Sequence, residues 1–108
     1  MIKKLCCDYN HSHNIKDVSM LTNLHTLELL NCKNIKNVSM LGNLHKLDLS
    51  YCRGVEDVSM LGNLHTLDLS YCNKITNISM LNNVHTLIIY GYNKVIDVSM
   101  LCNLHLIY

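Results

Sequence analysis

The segment "NVSMLGNLHKLDLSYC", Asn37 to Cys52, returns twenty residues later as "DVSMLGNLHTLDLSYC", Asp57 to Cys72. It returns once more, loosely, as "NISMLNNVHTLIIYGY", Asn77 to Tyr92. Met stands at 20, 40, 60, 80 and 100, each preceded by Ser and followed by Leu. Asn recurs at 23, 43, 63, 83 and 103, and His at 25, 45, 65, 85 and 105. A fixed period of this size restricts a chain to stacked copies of one small unit, because a lone unit cannot bury its own apolar side chains.

Inside a unit two spacings alternate. Leu27 and Leu29 alternate with polar Thr26, Glu28 and Asn31, the period-two mark of a short strand with one buried face. From Cys32 the apolar spacing becomes three, through Ile35, Val38, Leu41 and Leu44, which suits turns or 3₁₀ geometry. Each unit therefore reads as a strand and a tightly curled return, and stacking sets the strands in parallel. Ser19, Ser39, Ser59, Ser79 and Ser99 stand where an N-cap precedes one helical turn, and the Asp or Asn two residues earlier can bond the loop backbone.

No linker interrupts the period, so the expected organisation is one domain over 1–108. It divides into a degenerate first unit 1–20, repeats 21–40, 41–60, 61–80 and 81–100, and a truncated last unit 101–108. In the first unit Lys4, Cys7, Tyr9 and Ser12 replace Leu, Leu, Leu and Cys. The last ends at "LHLIY" without a polar cap, which suggests an open strand edge.

Nine Lys/Arg against eight Asp/Glu give no strong field, so neither nucleic acid nor a membrane surface is an expected partner. The start "MIKKLCCDYN" lacks the apolar core of a signal peptide, and no uninterrupted apolar run is long enough to span a bilayer. The expected location is cytoplasmic, or host cytoplasm for a viral protein. The six Cys read as reduced thiols, with Cys32, Cys52 and Cys72 forming an inward ladder.

The repeats "LHTLELLNC", "LHKLDLSYC" and "LHTLDLSYC" resemble leucine-rich repeats in the form Leu-x-x-Leu-x-Leu-x-x-Asn/Cys. "DVSML" is similar to the turn segment of short bacterial and protist repeats. The Cys-bearing tandem copies resemble those of giant amoeba viruses and unicellular eukaryotes. The resemblance implies an α/β-type solenoid, a right-handed curved stack with a parallel strand ladder on the concave face and short helical turns or loops on the convex face. It implies protein binding by the strand face and no catalytic residues. Nothing in the sequence pairs a nucleophile with a base or cradles phosphate, so no enzyme activity and no cofactor are expected.

Outward strand positions form columns. One runs Glu28, Asp48, Asp68, Ile88, Tyr108, a second Thr26, Lys46, Thr66, Thr86, Leu106, and a third Leu30, Ser50, Ser70, Tyr90. Asn31, Tyr51, Tyr71 and Gly91 lie beside them. The candidate partner-binding residues are Glu28, Lys46, Asp48, Tyr51, Asp68, Tyr71, Ile88, Tyr90, Leu106 and Tyr108, an acidic stripe edged by Tyr that turns apolar at the last rungs. The expected partner is a protein of basic or amphipathic surface. The alternative is an assembly fragment whose open C-terminal edge packs on itself or on a missing domain. The His positions read as a surface ladder and not a metal site, since a line of imidazoles does not converge on one point. Stacked imidazoles should resist protonation. The Met positions read as folding over the adjoining unit, with an exposed apolar stripe as the alternative.

Overall fold

In the computed structural model, which describes residues 1–6, 15–92 and 105–107, the period-two segments are strands and the period-three segments are turns. The strands are β1 (Ile2–Cys6), β2 (Thr26–Leu30), β3 (Lys46–Asp48), β4 (Thr66–Asp68), β5 (Thr86–Ile88) and β6 (His105–Ile107). They form one parallel sheet in chain order. From β2 to β5 every residue faces its equivalent twenty positions on, as in Leu27, Leu47, Leu67 and Leu87.

One core runs the length of the stack. Each rung contributes the same side chains, in the central rung Cys52, Val55, Val58, Leu61, Leu64, Leu67 and Leu69, all buried. The columns touch along the stack axis, so each rung buries the one before it. This is the β-solenoid that the repeat predicts, a parallel ladder with short 3₁₀ returns.

The returns are single 3₁₀ turns at Ser19–Leu21, Ser39–Leu41 and Ser59–Leu61. Their caps differ from expectation. The residue before each turn is Val, and the Ser is the first turn residue rather than the cap. The side-chain acceptor comes from two residues upstream: the Ser19, Ser39, Ser59 and Ser79 N–H groups donate to Oδ1 of Asp17, Asn37, Asp57 and Asn77 at 2.9–3.0 Å. An amide and a carboxylate serve equally here, because only one oxygen is used.

The period breaks at both ends of the sheet. β1 pairs with β2 at an offset of 24, so Lys3 faces Leu27 and Lys4 faces Glu28. This corrects the expected first unit, in which Lys4 replaces Leu24. The shift brings the Lys4 ammonium to 3.8 Å from the Glu28 carboxylate. Cys7, Tyr9 and Ser12 lie outside the described residues. At the other end β6 pairs at an offset of 19, with Leu106 facing Leu87 and Ile107 facing Ile88. A one-residue slip exchanges the two faces of a strand. Leu106 accordingly packs against the core, where the twenty-residue period places it outward in the Thr26 column.

Candidate protein-interaction surface

The strands are short because the chain turns away just past the outward acidic position. The Asp48 carboxylate accepts from the Ser50 N–H at 2.8 Å and from the Ser50 hydroxyl, and Asp68 accepts from the Ser70 N–H at 2.9 Å. Ser50 and Ser70 are thereby buried, which corrects their reading as an outward column. Asp48 and Asp68 are half-buried clasps that fold the strand exit back, as well as the acidic members of the face. Glu28 is half-buried beside Lys4, Lys46 is half-buried on β3, and Ile88 continues the Asp68 column.

The next residue in each rung adopts a left-handed backbone: Asn31 (φ 60°), Tyr51 (φ 62°), Tyr71 (φ 60°) and Gly91 (φ 78°). Asn and Gly suit this region, whereas a bulky residue pays a steric penalty there. The inter-rung ladder holds the conformation in place. Asn31, Tyr51 and Tyr71 donate their N–H groups to the carbonyls of Ser50, Ser70 and Tyr90, each at 2.9 Å. The Tyr51 and Tyr71 rings stack with centroids 4.4 Å apart and planes 6° from parallel, and both stay more than one-third exposed. Gly91 ends the column because the Tyr71 ring already occupies the space of a side chain, with ring atoms 2.2 Å from where a Cβ would sit. Tyr90, the residue before Gly91, is 48% exposed at the position that Ser50 and Ser70 hold in the earlier rungs. Of the other candidates, Leu106 is turned toward the core and Tyr108 lies outside the described residues.

Behind this face stands a ladder of buried donors. The Cys52 thiol points to the Leu29 carbonyl at 2.9 Å and the Cys72 thiol to the Leu49 carbonyl at 3.0 Å. Where the column changes to Tyr92, the phenol reaches the equivalent Leu69 carbonyl at 2.6 Å. The change of residue keeps the bond. Burial pushes the Cys72 thiol up to about 12 and raises the Tyr92 phenol as well. Cys32, Cys52 and Cys72 are all buried, as expected of an inward ladder.

The remaining two columns complete the surface. His25, His45, His65 and His85 stack ring on ring with centroids 4.5 Å apart. Among the described residues no group of three or more His, Cys, Asp or Glu is placed to hold a metal ion. On the opposite side Met20, Met60 and Met80 are 79%, 63% and 59% exposed, while Met40 packs against the core. This corrects the reading of Met as folding over the adjoining unit, which holds for Met40 alone among the four described rungs; the other three leave the exposed stripe. No helix among the described residues is long and apolar enough to cross a membrane.

Comparison with known proteins agrees with this geometry. Residues 42–83, which carry β3 and β4 and the returns around them, match the family model described as Leucine Rich repeats (2 copies). No curated protein matches the chain. The matched segment carries β3, β4, their buried Leu pairs, Cys52, Cys72 and the 3₁₀ return at Ser59–Leu61, and residues 42–83 are two leucine-rich repeats.

Proposed function

We propose that the chain is a protein-binding module, as leucine-rich-repeat domains generally are, and that its partner docks on the strand face. The observation that carries this reading is the exposed Tyr51–Tyr71 stack. Two aromatic side chains are kept on the surface at a backbone conformation that favours Gly or Asn. Tyr offers apolar area with a polar tip and is enriched among residues that dominate binding energy. Glu28, Asp48 and Asp68 give the face an acidic cast, with Lys46 among them and Ile88 and Tyr90 as an apolar continuation. A basic or amphipathic protein surface complements it. The reading assigns no catalysis.

The test compares the wild type with Tyr51→Ala/Tyr71→Ala and with Met60→Ala/Met80→Ala on the opposite side. Proteins captured by the wild type are purified singly, and their affinities for all three are measured. Loss of about tenfold or more with the Tyr variant alone, without a change in thermal unfolding, supports the strand face. Equal affinity for the Tyr variant and the wild type overturns it.

A further inference from the structure

Four imidazoles in face-to-face contact across four rungs form a constellation that protein binding does not use. The rings of His25, His45, His65 and His85 lie 4.5 Å apart, with planes within 23° of parallel. They border an open groove of about 640 Å³, lined by the His and Asn columns with the apolar side chains between them. Among the described residues the lining contains no Asp or Glu to compensate a proton.

The described groups around the ladder are cationic, neutral or engaged elsewhere. At the first rung Met1 lines the groove, and its carbonyl accepts the His25 N–H. Lys46 follows His45 on β3. At the last rung β6 brings His105 alongside, its N–H donating to the His85 carbonyl. The acids of the same strands are engaged elsewhere, Glu28 with Lys4, Asp48 with Ser50 and Asp68 with Ser70. The Asn of the adjoining turns are neutral. Thr26, Thr66 and Thr86 place a hydroxyl 2.9–3.1 Å from Nδ1 of the preceding His. A hydroxyl can donate to a neutral ring nitrogen or accept from a protonated one, so these bonds favour neither state.

We propose that the imidazole ladder is a proton-sensitive seam: mild acidification charges stacked neighbours, pushes the strand entrances of successive rungs apart and loosens the solenoid. Like charges at this separation repel strongly wherever water does not fully screen them. The His65 imidazole is held below the usual range by desolvation first, and then by His45 and His85 on either side. The sign follows. A His whose folded pKa is depressed binds its proton more readily in the unfolded chain, so its contribution is complete above about pH 6.5 and is lost as pH falls through the folded value.

The test combines a proton titration of the His65 ring by nuclear magnetic resonance with urea unfolding at about pH 7.5 and about pH 5.5. The wild type is set against His45→Gln/His85→Gln, which leaves His65 without charged neighbours. The expected result is that the His65 midpoint rises toward the free-imidazole range in the variant. The variant also loses less than about half as much urea midpoint on acidification as the wild type. An unchanged His65 midpoint, or an equal acid loss in both proteins, overturns the proposal. If the double variant does not fold, His65→Gln alone serves, and an acid loss equal to that of the wild type overturns the proposal in the same way.

Discussion

Positions 71 and 91 occupy the same backbone geometry and use it in opposite ways. Tyr71 carries a side chain at a left-handed φ, and Gly91 carries none because Tyr71 lies over it. Gly91→Ala therefore adds a left-handed penalty of about 1–2 kcal/mol and forces the Tyr71 ring aside. Urea unfolding reads the first effect, and the near-ultraviolet signal of the Tyr stack reads the second. The donor column makes a matching prediction. Tyr92→Phe leaves the Leu69 carbonyl with one partner fewer and costs about 0.5–1.5 kcal/mol. Cys72, buried and shifted up to about 12, reacts with a thiol reagent only after unfolding, and fast labelling of the native protein contradicts its placement. The Leu and Cys columns are legible in the sequence because their spacing leaves one consistent inward phase. The burial of Ser50 and Ser70 is not, because it depends on Asp48 and Asp68 folding the chain out of the strand after only three residues.

At the scale of the rung, strand and return depend on each other. Leu67 belongs to a rung flanked on both sides and is fully buried, so Leu67→Ala costs about 2–5 kcal/mol in urea unfolding. The return rests on one side-chain oxygen two residues before its Ser. Asn37→Asp keeps that oxygen and is close to neutral, while Asn37→Leu removes it and costs about 1 kcal/mol. Where the oxygen belongs to a carboxylate, the return also senses acid. The Ser59 hydroxyl and N–H hold the Asp57 carboxyl below its usual range, and the Ser19 N–H and hydroxyl do the same for Asp17. A depressed carboxyl stabilises the fold above its unfolded pKa and loses that effect as pH falls through its folded one. The window lies below about pH 4, well under that of the His column. The sequence identifies these Asp and Asn residues as loop bonders but misassigns the cap itself, since a Ser before an apolar pair suits either position. It misses the sheet ends for a different reason. A period can be extrapolated only where it persists, and β1 and β6 pair at offsets of 24 and 19.

For the whole molecule, the nearly exact repetition of β3 and β4 has a kinetic consequence. The segments 37–52 and 57–72 differ at two of sixteen positions, Asn37/Asp57 and Lys46/Thr66, so a folding chain can seat the later copy on β2 and loop the earlier one out. Such a slipped chain forfeits one rung of burial. It is a trap on the way to the native state and not a rival to it. What tells the copies apart lies just beyond them. Gly54 sits where a Cβ would come within 2.5 Å of the Lys33 carbonyl oxygen, whereas the next rung has Lys74 at that position. Seated on β2, the later copy would drive the Lys74 Cβ into that oxygen, so the missing side chain of Gly54 acts as a proofreading mark. Lys74→Gly erases the mark and should enlarge the slow fraction in double-jump refolding. Lys74→Ala retains a Cβ and should leave the fraction as in the wild type, which separates misregistry from any effect of losing the exposed Lys74–Glu56 ion pair.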